Sequence, residues 1–218
     1  MKFPIIIGSN CSGANFYHNY LNIPFYSPFI WSVVPYKSLF ILLTEWPNIN
    51  WFSYKLIDNP NKELTYTLVI DKKIEIHFVH YFYSNKFIEP FYKGASVFSS
   101  NIKNFIIKKY TERTNRMFKY ADINNPYFII HQEDSLKTND LSSLIDICKL
   151  DSNYKRVIIN DKLKNTKYNK NVLIINEKKL LPQNSIEKNG RVIEAFFNID
   201  PNIKNINSVS LNNSTNHQ

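Results

Sequence analysis

Apolar and polar positions along this 218-residue chain fall into short blocks that switch repeatedly between a strand-like and a helix-like period. Ile5, Ile6 and Ile7 form a continuous β-branched run, the pattern of a strand buried on both faces inside a parallel sheet. Gly8 ends the run, the turn and cap formers Ser9, Asn10, Ser12 and Gly13 follow, and residues 14–21 take up helical spacing. The chain therefore predicts a strand, a tight loop and a helix at its start. Residues 22–31 hold Pro24 and Pro28 among Phe25, Tyr26, Phe29 and Trp31, which excludes a helix interior. They read as an ordered aromatic loop packed across the sheet edge or over the preceding loop.

Leu39, Ile41, Leu42 and Leu43 place a buried helix over 36–45, ended at Trp46-Pro47 by the restriction on the residue before proline. Residues 48–60 read as irregular. Two strand-like runs, 64–70 and 74–81, are joined by Asp71-Lys72-Lys73, which has the length and polarity of a hairpin turn. Residues 98–120 carry Ile102, Phe105, Ile106, Tyr110 and Met117 at three- and four-residue spacing, an amphipathic helix with a basic opposite face. A buried strand over 127–130 then runs into His131-Gln132-Glu133-Asp134. A helix over 140–150 and strands at 156–160 and 172–176 follow, and 193–197 reads as a last strand or short helix. This recurring alternation predicts one α/β domain over 1–201, a three-layer α/β/α arrangement whose mostly parallel sheet carries an antiparallel hairpin. The Asn- and Ser-rich residues 202–218 read as a disordered tail.

Two cysteines, Cys11 and Cys148, make neither a disulfide framework nor a zinc site of familiar spacing, so a reducing compartment is the default. No stretch has the length of a signal-peptide core or of a membrane span, and the expectation is a cytosolic protein. The net charge of +9 favours anionic partners, namely phosphorylated or nucleotide-linked small molecules, or peripheral contact with an anionic membrane surface. Nucleic acid is the weaker choice, because the basic residues are dispersed and no nucleic-acid-binding signature accompanies them.

These elements put the candidate chemistry at the carboxyl ends of the strands, where open α/β sheets collect function. Cys11 lies in the loop between the first strand and helix, where a thiol at a helix start is expected to be activated as a nucleophile; the competing reading is a small packing residue. Ser9, Asn10, Ser12 and Gly13 would line the same site, and the backbone amides after Cys11 could cradle an oxyanion or a phosphate. The base is a choice between His80, at the end of its predicted strand, and His77, in the middle of it, with His80 favoured. Asp134 or His131 could complete the constellation. Arg113 and Arg116, three apart on the long helix, could clamp a phosphate, and Tyr26 could wall a pocket. Cys148, on the apolar stripe of the 140–150 helix, reads as core.

Ile6 to Cys11, Leu21 to Phe29, Ile74 to Tyr81 and Thr111 to Met117 leading to Phe128-Ile129-Ile130 together resemble a bacterial family known as domain of unknown function 1919, often labelled exopolysaccharide biosynthesis proteins. The chain departs from the family pattern in Ser12-Gly13 after the cysteine, and in His131-Gln132-Glu133-Asp134 where an Asp/Arg-rich turn is expected. The resemblance implies an α/β fold and a setting in capsule or exopolysaccharide synthesis, and supplies no reaction. Three functions compete. The first is a transferase that acylates a nucleotide-linked or lipid-linked sugar through Cys11 and a histidine, with an acyl-CoA as candidate donor. The second is a cysteine hydrolase with the same pair, and the third a non-enzymatic component of a polysaccharide assembly system.

Overall fold

The computed structural model describes residues 2–23, 27–30, 32–58, 66–78, 100–131, 138–163, 166–177 and 181–205. Strand β1 (Ile6–Gly8) leads into α1 (Ser12–Ala14), which continues as a wider π-helical turn over Asn15–Tyr20. Then come β2 (Ser32–Val33), α2 (Tyr36–Glu45), β3 (Tyr54–Asp58), β4 (Tyr66–Ile70), β5 (Ile74–Phe78) and α3 (Ser100–Tyr120). The rest of the chain forms β6 (Tyr127–His131), α4 (Thr138–Lys149), β7 (Arg156–Asn160), β8 (Thr166–Asn169), β9 (Val172–Asn176) and α5 (Pro182–Phe197).

The fold is mixed α/β. Its larger sheet has the order β1-β6-β7-β9-β8, in which the first four strands are mutually parallel and β8 is antiparallel. Ile5–Ile7, Phe128–Ile130 and Val157–Ile159 are buried throughout, as strands covered on both faces must be. Side-chain alternation assigns the covering helices. Tyr127, in register with Ile6, stacks on Phe197 of α5, and Phe197 in turn meets Phe16 of the π-helical turn edge to face. Phe128, in register with Arg156, points to the other side, where Arg156 reaches the carbonyls of Ile147 and Leu150 at the end of α4. One layer is thus α1 with α5, and the opposite one contains α4, against which α2 packs.

Several expectations change in detail. The hairpin β4–β5 forms where the sequence puts it, with Asp71 and Lys72 in the left-handed region, but it belongs to a second, antiparallel sheet of order β2-β5-β4-β3 and not to an edge of the parallel one. Residues 48–60, read as irregular, contain β3, which pairs with β4 along its whole length. No helix separates β7 from β9; the polar strand β8 takes its place on the far side of β9. The element placed at 193–197 is the end of a sixteen-residue helix that starts on Pro182, a residue suited to the first turn. Pro201–Asn205 forms a 3₁₀ turn with Ile203 only 4 % exposed, and residues 206–218 lie outside the described ones. Buried residues of both sheets, including Leu68, Ile70, Ile74 and Ile76, form one contiguous cluster.

Arg156 is the largest fully buried side chain among the described residues. Its guanidinium donates to the carbonyls of Ile147, Leu150 and Tyr154, so it caps the C-terminal end of α4 from inside the sheet. Burial lowers its pKa from the ordinary arginine value. Replacing it with methionine keeps most of the volume and strands those carbonyls. Arg156→Met should therefore cost about 2–4 kcal/mol in urea unfolding, with Arg156→Lys recovering part of the loss; an unchanged midpoint for Arg156→Met would contradict the capping role.

Candidate functional site

Because β1, β6, β7 and β9 are parallel, their carboxyl ends open on one edge of the sheet, and Gly8, His131, Asn160 and Asn176 end them there. The loop from Gly8 to Gly13 is folded tightly at that edge. A Cβ on Gly8 would stand 2.5 Å from the Asn10 carbonyl oxygen and 2.7 Å from the Gly13 nitrogen, and one on Gly13 would stand 2.8 Å from the Gly8 nitrogen. The start of α1 is therefore pressed directly on the end of β1, which only two glycines allow. Asn10 closes the turn, its Oδ1 accepting the Ser12 backbone N–H at 2.9 Å.

Cys11 occupies the cap position before Ser12, half-buried at the junction that its sequence setting predicts. Its carbonyl accepts the Asn15 backbone N–H and the Asn15 side-chain amide, both at 2.9 Å, and Asn15 Oδ1 accepts from Asn19 at 2.7 Å. The loop is also tied to the neighbouring strand. Ser9 N–H donates to the Ile129 carbonyl at 3.1 Å, the Ser9 hydroxyl donates to the His131 carbonyl at 3.0 Å, and that hydroxyl accepts the His131 N–H at 3.0 Å. Asn10 Nδ2 lies 3.4 Å from His131 Nδ1. His131, only 5 % exposed, is thus joined to the Cys11 loop through Ser9 and Asn10.

The residues singled out from sequence divide accordingly. Ser9, Asn10, Cys11, Ser12 and Gly13 come together, although Ser12 and Gly13 are buried inside the turn and do not face solvent. Ser12 N–H is already bound to Asn10, which removes one donor from the expected anion cradle. His77 lies on β5, in the second sheet beside Glu75 at 3.5 Å, and β5 neighbours β2 and β4. The adjacency of that strand to β1, on which a Cys11–His77 or Cys11–His80 pairing depended, is absent: β1 pairs with β6. His80, Asp134 and Tyr26 lie outside the described residues. Arg113 and Arg116 are half-buried on α3; Arg113 donates to the Ile30 carbonyl at 3.2 Å and stands near enough to His18 to help burial hold that imidazole below its ordinary pKa. The aromatic loop, where it is described, turns Phe29 against Trp46 and Trp51, and Trp46 donates to the Ile123 carbonyl ahead of β6, at the sheet edge opposite Cys11.

The second cysteine is chemically quiet. Cys148 is buried, and burial pushes its thiol up to about 11. Two further groups on the carboxyl edge were missed. Asn15 and Asn19 follow Cys11 at four-residue intervals, a helical spacing that points them the way they bond. Glu177, directly after β9, is nearly buried and accepts from Ser185 at 2.6 Å and Asn189 at 2.7 Å, with Lys188 Nζ at 2.8 Å from its other oxygen. A carboxylate at the end of a predicted strand was its only signal in the sequence. No family model, no curated protein and no solved structure matches this chain. No described helix is long and apolar enough to cross a membrane.

The glycine contact yields a direct test. Gly13→Ala puts a methyl group against the Gly8 backbone, which has no side chain to move aside, and should lower stability by at least about 2 kcal/mol. A melting temperature equal to that of the parent chain would mean that the turn is not held as described.

Proposed function

We propose that this chain is a cytosolic acyltransferase that acts through the Cys11 thiol on a sugar-linked acceptor of capsule or exopolysaccharide synthesis, with an acyl-CoA as donor. The observation that carries the reading is the joining of the Cys11 loop to His131 through Ser9 and Asn10 at the carboxyl edge of a parallel sheet. A nucleophile alone at a helix start would be weak support. A nucleophile whose loop is bonded to an imidazole, on a turn that two glycines allow to close tightly, supports thiol chemistry. The polysaccharide setting rests on the family resemblance of the Ile6 to Cys11 and Leu21 to Phe29 stretches, and the net charge of +9 suits an anionic donor.

In this scheme the Cys11 thiolate attacks the thioester carbonyl, the sulfur–carbon bond of the donor breaks, and the released CoA thiolate takes up a proton. The acceptor hydroxyl then attacks the Cys11 thioester while His131 accepts its proton, forming an ester and restoring the thiolate, which the imidazolium reprotonates or pairs with. His131 takes the role that the sequence assigned to His80 or His77, because its strand is the one beside β1.

Incubation of the full chain with acetyl-CoA followed by intact-mass measurement tests this. One acetyl adduct should form, disappear in Cys11→Ala and persist in Cys148→Ala, and His131→Gln should slow its transfer to an acceptor about a hundredfold. Free acetate released without transfer to any sugar would indicate hydrolysis instead. Absence of an adduct, together with a Cys11 thiol no more reactive than Cys148 at neutral pH, would make Cys11 a packing residue and overturn the proposal.

A further inference from the structure

Between the π-helical turn after Cys11 and the first turns of α5 lies an open cleft of about 260 Å³, lined by Asn15, Asn19, Tyr20, Gln183, Ile186 and Glu187. It adjoins the Cys11 loop, because Asn15 holds the Cys11 carbonyl and Asn19 holds Asn15. We infer that this cleft is the acceptor subsite and takes a neutral, hydroxyl-rich group of the size of one sugar ring. The inference rests on the reading of Cys11 as the reacting thiol for its role, and on the lining alone for its ligand.

Size and chemistry each narrow the ligand. Drug-sized molecules fill roughly 300–1,000 Å³, so a nucleotide or a CoA moiety is too large for this cleft and a single ring is not. The lining has no lysine, arginine or histidine and contains Glu187, a poor match to phosphate. Ile186 is its one aliphatic member, too little apolar surface to hold an acyl chain. The Gln183 amide, the Asn19 carbonyl oxygen and the Glu187 carboxylate remain, a donor and acceptors of the kind that pair with vicinal hydroxyls, while Asn15 is bonded to Cys11 and Asn19 and the Tyr20 hydroxyl to Glu194.

The cleft is also held in shape. The Tyr20 ring stacks on Phe16 at 5.4 Å with planes 9° apart, its hydroxyl donates to Glu194 on α5 at 2.9 Å, and a Cβ on Gly190 would overlap the ring. Tyr20, itself part of the lining, therefore ties the π-helical turn to α5. Asn19, Gln183 and Glu187 are the exposed members of the lining.

Saturation-transfer NMR on the full chain carrying Cys11→Ala, with methyl glycosides of the common hexoses as probes, tests the cleft without any thiol chemistry. At least one glycoside should receive saturation through its ring protons, and Gln183→Leu or Asn19→Leu should weaken its binding about three- to tenfold. Inorganic phosphate and octanoate should not compete. The inference is overturned if no glycoside binds, if both leucine variants bind as the parent does, or if phosphate or octanoate displaces the glycoside. Failure here leaves the acetyl adduct on Cys11 untouched, whereas loss of the adduct with glycoside binding intact removes the transferase reading and keeps the subsite.

Discussion

The contact between the Gly8 and Gly13 backbones sets the geometry on which the rest of the candidate site depends. It brings the start of α1 against the end of β1, so the four residues between the two glycines have little freedom. Asn10 must close the turn onto Ser12, Ser9 must meet the edge of β6, and Cys11 is left as the half-buried member of the loop. Side chains larger than hydrogen at either glycine would force the helix away from the sheet, and the bonds to His131 would be the first to lengthen.

The rest of the molecule holds this edge in place. Arg156 fastens α4 to the sheet from one side, while the other layer is fixed by Phe197 between Tyr127 and Phe16 and by the Tyr20 hydroxyl on Glu194. Glu177 does the same for the beginning of α5, joining the end of β9 to Ser185 and Asn189. Removing Ser185 or Asn189 from this buried carboxylate would be costly, since it would leave a desolvated charge with fewer partners. Glu177 acts at the carboxyl edge itself, whereas Arg156 and Tyr127 begin their strands and fix the flanking helices from the opposite end of the sheet, and a reaction that tolerates little misplacement needs both.

Much of the fold was legible because its buried strands are short β-branched runs bounded by turn formers. Ile5–Ile7, Phe128–Ile130 and Val157–Ile159 follow that pattern, and the loop chemistry of Ser9, Asn10 and Gly13 located Cys11 at its junction. Elements with the opposite character were not legible. β8 is polar, with a register irregularity between Lys167 and Asn169, and owes its existence to pairing with β9. β3 lies in a stretch punctuated by Asn and Pro, and α5 hides its period behind Asn, Lys and Glu residues and Gly190. The histidine assignment was the least legible. Which strand flanks β1 is decided by contacts between residues far apart in the chain, such as Ser9 with His131 across 122 positions, and no local pattern encodes them.

The measurement that bears most directly on this account follows the five histidines by NMR while Cys11 is alkylated with iodoacetamide in the Cys148→Ala chain. Alkylation alters the charge and hydrogen bonding of the loop that Asn10 joins to His131, so the His131 ring resonances should move while those of His77, in the second sheet, stay in place. Movement of His77 or His80 with His131 unchanged would contradict the account, since it would tie a different imidazole to the Cys11 loop.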